Sequence, residues 1–79
     1  MSLLDLRPND QATITSIHPS MPEDYRLRLI ELGFAEGEAV TCVRLTPFAG
    51  PPVYKIGDSV FSIASDVAAL VEVERTTVP

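Results

Sequence analysis

The stretch from Met21 to Val40, MPEDYRLRLIELGFAEGEAV, constrains the fold more than any other part of the chain. Ser20 and Glu23 stand at the Ser-x-x-Glu spacing in which a hydroxyl and a carboxylate reciprocally satisfy free amides at a helix start. Pro22 suits a first turn because no N–H is missed there. At about 100° per residue, Met21, Tyr25, Leu29 and Leu32 fall on one face, which is the side expected to be buried. Gly33 should stop the helix, since a residue without Cβ takes the left-handed conformation that closes orphan carbonyls. Phe34 follows where a hydrophobic contact back to the last turn is usual. Glu36-Gly37 then reads as a second turn, leading into a strand.

A chain of 79 residues makes one domain, residues 1–79. At this size folding buries only about 60% of the surface of the unfolded chain, so the stability margin is expected to be small. The hydrophobic share of 46% can fill one core, and a single cysteine excludes an internal disulfide. That points to a reducing compartment. There is no basic segment followed by a long apolar run, and no stretch nears the roughly 20 apolar residues of a membrane span. The expectation is a soluble cytoplasmic protein. A net charge of −5 and a pI near 4.5 repel a phosphate backbone and favour neutral or basic partners, so nucleic acid is not expected as a target.

Leu3, Leu4 and Leu6 precede the turn-forming Arg7-Pro8-Asn9-Asp10, which suggests a short strand or anchor folded onto the core. Ala12 to Ile17 is rich in β-branched residues and alternates as a strand with one buried face does, ending at His18-Pro19. Ala39 to Leu45 reads as a second strand, and Thr46 to Pro52, with its prolines and glycine, as a loop. Val53 to Ile56 and Ser59 to Ile63 flank Gly57-Asp58, the signature of a tight II′ hairpin. Ser65-Asp66 can cap one helical turn through Ala69, and Leu70 to Glu74 returns as a closing strand with Val71 and Val73 facing one way. Residues 75–79 are expected to be a frayed tail. The class is mainly β: five or six short strands in a closed or nearly closed small barrel. One α-helix is inserted after the first barrel strand and a short helical turn precedes the last.

Arg28-Leu29-x-x-Leu32-Gly33-Phe34-x-x-Gly37, followed by Pro47-Phe48, Pro51 or Pro52, Tyr54 and the closing Ala68 to Glu74 segment, resembles the FeoA family. The resemblance runs from Leu4 to Glu74. It implies an SH3-like barrel associated with bacterial ferrous-iron uptake through a FeoB-type permease. The same fold closes some DtxR-type repressors, but this chain has no room for their winged-helix part. Two departures stand out. Ala64-Ser65 replaces the basic residues that many members carry after the last hairpin, so no role of those residues carries over. Pro8-Asn9-Asp10 stands where the family commonly has a glycine, and Asn and Asp tolerate the backbone required there.

Catalysis needs a positioned nucleophile with a base, and the chain offers one cysteine and one histidine. No enzyme activity is expected. Cys42, inside a predicted strand, reads first as a small buried thiol and His18 as a solvated turn residue. His18 with Glu23 or Asp24 is the remaining metal-ligand set, imidazole and carboxylate being ligands of iron and zinc. No Cys-x-x-Cys, His-x-x-x-His or Glu-x-x-His spacing supports it, so neither a resident metal nor another cofactor is expected. Transition metal ion binding remains a property to test by calorimetry. The four glycines are turn glycines without the Gly-Lys-Ser of a nucleotide loop.

Arg28 borders the buried face, where its stem can pack and its guanidinium hydrogen-bond backbone carbonyls. The competing reading is an arginine acting in trans on the G domain that the resemblance gives the permease. Leu27 and Ile30 point away from the Met21-Tyr25-Leu29-Leu32 face, so one barrel cannot bury both sets. They are either covered by the amino-terminal leucines or the proline loop, or form a docking patch for a partner or a second copy, extended by Phe48. A peptide groove of the SH3 type is disfavoured by the lack of Trp. The expected function is a non-enzymatic cytoplasmic accessory protein that docks on and modulates the permease. The alternative is a self-associating or metal-sensing SH3-like module related to the C-terminal domain of DtxR-type repressors.

Overall fold

The helix α1 spans Glu23–Leu32 and ends as the sequence requires, in the computed structural model that describes residues 1–48 and 50–76. Gly33 is left-handed at φ 107°. Its amide donates to the Ile30 carbonyl (3.0 Å) and that of Phe34 to the Leu29 carbonyl (2.8 Å), the paired bonds of a Schellman end. Leu29 and Phe34 are both buried beneath it.

The start of the helix differs from expectation. Pro22 is the residue at the N-cap, no side chain caps the first turn, and the Ser20–Glu23 capping box does not form. The cause lies in Pro22: the residue before a proline is driven out of the α region, so Met21 cannot supply a first helical residue after Ser20. Ser20 turns back instead, its hydroxyl 2.7 Å from His18 Nδ1. Met21 and Leu29 are buried and Leu32 packs partly buried against the core, whereas Tyr25, expected on the same buried face, is half exposed.

Five antiparallel strands form one sheet: β1 (Gln11–Ile17), β2 (Ala39–Arg44), β3 (Val53–Ile56), β4 (Ser59–Ser62) and β5 (Val71–Arg75), in the order β4-β3-β2-β1-β5. The fold is mainly β, with α1 between β1 and β2 and a short α2 (Ser65–Ala68) before β5. Gly57, at φ 57°, opens the β3–β4 hairpin while Asp58 keeps a negative φ, the pattern of a II′ turn. The N-cap of α2 is Ala64 and not Ser65, and Asp66 accepts only from the adjacent Val67 amide.

The sheet does not close into a barrel: β4 and β5 remain its two edges. Its β5 edge is covered by the amino terminus. Ser2 bridges Glu72, the Val73 amide donates to the Met1 carbonyl (2.9 Å), and a 3-10 turn at Leu3–Asp5, boxed by Ser2 and Asp5, buries Leu3. The amino-terminal anchor is thus a helical turn and a bridge. At the Arg7 to Asp10 turn Asn9 takes φ 74°, a left-handed conformation that Asn tolerates better than most residues.

Alternation sets the core. Ala12 and Ile14, Val40 and Cys42, and Val71 and Val73 point inward with Leu6, Phe34 and Tyr54. Phe34 meets Phe61 edge to face at 5.9 Å between centroids, and the Tyr54 hydroxyl donates to the Leu3 carbonyl (3.0 Å), tying β3 to the amino-terminal turn. Arg75, expected in a frayed tail, pairs with Ala12 in β5, and its guanidinium lies 3.1 Å from Asp10 Oδ2. Thr76, also in the expected tail, donates its amide to the Gln11 carbonyl (2.8 Å), and residues 77–79 lie outside the described residues.

Candidate interaction surface

Leu27 and Ile30 occupy the outer side of α1 at 52% and 45% exposure, so neither the amino-terminal leucines nor the β2–β3 loop covers them. Phe48 is fully exposed in that loop, at φ 61°. These are the three residues that the sequence singles out for docking, and all three present apolar surface to solvent. Phe48 belongs to a different element and lines neither hollow described below.

Arg28 departs from its expected structural role. It is exposed and makes no hydrogen bond or ion pair among the described residues. At the end of the same helix the Leu29 and Ile30 carbonyls accept from the Phe34 and Gly33 amides. Arg28 borders two hollows. One, of about 210 Å³, lies between α1 and the β4–α2 connection and is lined by Tyr25, Arg28, Leu29, Leu32, Ser62, Ile63, Ala64 and Val67. The other runs along α1 past Asp24, Leu27 and Glu31. Among the described residues, Arg28 is the one charged residue on the wall of the first.

The candidate metal ligands are not brought together. His18 Nδ1 is engaged by Ser20, Glu23 lies 3.7 Å from Arg26 across one helical turn, and Asp24 faces the second hollow. No group of three His, Cys, Asp or Glu side chains that could hold a metal ion occurs among the described residues. Cys42 is fully buried, and burial, with the Asp10 charge second, pushes its thiol above the ordinary value. Tyr54 is shifted upward for the same reason, with smaller contributions from Cys42 and Asp5. Both are held neutral, and neither faces solvent as a nucleophile or base would need to. No helix of the described residues is long and apolar enough to cross a membrane.

Sequence reasoning missed Tyr25 and the outer edge of β4, with Val60 at 55% exposure, as surface features. The short, uncharged Ser-Val-Phe-Ser run is the signal available for the edge.

An antiparallel sheet of five short strands with a helix after the first defines a small mainly β domain of the SH3-like kind. Residues 1–75 match the family described as FeoA domain, and the chain belongs to it. A relative of established identity is the Fe(2+) transport protein A/Fe(2+) transporter FeoB fusion protein of Porphyromonas gingivalis, 35% identical over 74 residues. The match takes in 94% of this chain and only 8% of that protein, so the chain spans a small part of this relative's length. Among solved structures, Stenotrophomonas maltophilia FeoA, an SH3 domain protein in complex with zinc, superposes with a TM-score of 0.81 at 30% identity, covering 94% of this chain and 89% of that one. A manganese-dependent transcriptional repressor shares the fold at a TM-score of 0.77 and 20% identity, over 90% of this chain and 39% of that one.

Proposed function

We propose that the chain is a non-enzymatic, cytoplasmic accessory protein that docks on a FeoB-type ferrous-iron permease and modulates it. The observation that carries this reading is the Porphyromonas gingivalis relative, whose name joins Fe(2+) transport protein A to the transporter FeoB in one polypeptide. A domain fused to a transporter in one organism is a candidate to associate with it as a separate chain in another, because the linker replaces affinity with local concentration. The exposed Leu27 and Ile30, with Phe48 as an outlying anchor, supply apolar contact area of the kind that interfaces bury.

Co-purification of the chain with the cytoplasmic portion of the permease, across several nucleotide and iron conditions, tests it. Retention of the wild-type chain, lost in Leu27→Asp with Ile30→Asp, supports the reading; absence of retention under every condition refutes it.

The second reading is a self-associating or metal-sensing SH3-like module. The repressor likeness favours it at the level of fold. Sedimentation separates the two: a stable dimer dissolved by the same double substitution supports self-association, and a monomer that still binds the permease supports docking.

A further inference from the structure

The two edges of the sheet are treated differently. β5 is blunted by the Ser2–Glu72 bridge, the Met1 carbonyl, a register shift against β1 and a charged sequence, Val-Glu-Val-Glu-Arg. β4 is protected only by its four-residue length: Ser-Val-Phe-Ser has no charge and no proline, and its pairing with β3 runs without a shift.

The register identifies the backbone groups left free. Ile56 and Ser59 flank a two-residue turn and so form a hydrogen-bonded pair. Alternation then makes Lys55↔Val60 and Val53↔Ser62 non-hydrogen-bonded pairs, and the Ile63 amide resumes with the Pro52 carbonyl at 3.1 Å. The N–H and C=O of Val60 and of Ser62 therefore face outward, and no hydrogen bond of the described residues takes them. Ser62 also lines the hollow of about 210 Å³ in which Arg28 is the charged group.

We propose that the outer edge of β4 is a docking site for an extended segment of a partner protein, which adds a strand through the backbone of Val60 and Ser62 and sets one carboxylate side chain against Arg28. Main-chain pairing supplies affinity in such strand addition, and the side chain entering the hollow supplies selectivity. Arg28 has no ion pair among the described residues and is the one charged residue lining this hollow, which selects a carboxylate, while Asp24 and Glu31 along the adjoining hollow and the net charge of −5 disfavour a polyanionic segment, so the occupant is an otherwise neutral strand with a single acid. This surface is distinct from the Leu27 and Ile30 pair and stands whether or not the permease is the partner.

The test is an amide NMR titration with the blocked hexapeptide acetyl-Thr-Val-Glu-Val-Thr-Ser-amide and its Gln counterpart. The Glu peptide should shift the signals of Val60, Ser62 and Ala64, and the Gln peptide should bind about threefold more weakly, the scale of one exposed ion pair. Arg28→Gln should erase that difference. Val60→Pro removes an outward donor without touching the β3–β4 ladder, and should abolish binding of both peptides while leaving the thermal melt nearly unchanged. Absence of shifts at millimolar peptide, shifts centred on Leu27 and Ile30, or a Val60→Pro chain that binds normally would overturn the proposal. A wild-type dimer in sedimentation that Val60→Pro dissolves would also overturn it, by assigning the edge to a second copy.

Discussion

Gly33 lies directly beneath Ile56: a β-carbon built on Gly33 would stand 2.7 Å from Ile56 Cγ2, and the glycine is already at φ 107°. Two independent constraints meet at this residue, a left-handed backbone and a helix-to-sheet approach too close for a methyl group. Gly33→Val is expected to cost about 2 kcal/mol or more, and Gly33→Ala to be clearly damaging as well. Urea melts of the two variants check this, and wild-type midpoints would show that the α1 end is not locked onto β3.

Leu29→Ala removes a buried side chain at the α1–core contact and is expected to cost about 2–5 kcal/mol, through lost transfer energy and a cavity. Glu72→Ala removes only a partly exposed pairing with the amino terminus at 3.5 Å and should cost less than about 1 kcal/mol. Equal shifts in the same urea series would place the core elsewhere.

Legibility in the sequence followed the range of the interactions. The helix end at Gly33-Phe34, the Gly57-Asp58 hairpin and the buried alternation of β1 and β5 are local, and they fold as the residues indicate. The helix start is not legible because two local rules compete there, and the restriction that Pro22 places on Met21 prevails over the Ser20–Glu23 spacing. Barrel closure and the reach of β5 depend on pairing between segments far apart in the chain. Nothing around Arg75 signals its ion pair with Asp10. The exposure of Leu27 and Ile30 is legible from the helical wheel, whereas the freedom of Arg28 is not, because a side chain that borders the buried face on the wheel can pack its stem or turn to solvent, depending on the neighbouring elements.

Tyr54→Phe deletes the buried hydroxyl that reaches the Leu3 carbonyl and leaves that acceptor unpaired. A loss of about 1–2 kcal/mol is expected, with faster hydrogen exchange in the Leu3–Asp5 turn. A variant as stable as wild type would mean that the hydroxyl does not hold the amino terminus.

Alkaline pH should unfold the protein through two buried groups. Burial raises the Cys42 thiol above 9.0 and the Tyr54 phenol above 10.0. In each case the unfolded chain gives up its proton first. The stabilisation is therefore complete below those ordinary values and declines as pH climbs from about 9 towards the raised native values. Thermal melts from pH 7 to 11 should show a falling midpoint above about pH 9, less steep in Tyr54→Phe once its lower starting stability is subtracted. A flat profile would contradict the burial of both groups.

Modulation of iron transport is the central functional claim, and ferrous-iron uptake by permease-bearing membrane vesicles, with and without the purified chain, tests it most directly. The predicted result is an uptake rate altered by the wild-type chain and returned to the chain-free rate by Leu27→Asp with Ile30→Asp. An identical rate with and without the chain, at every nucleotide condition tried, would contradict it.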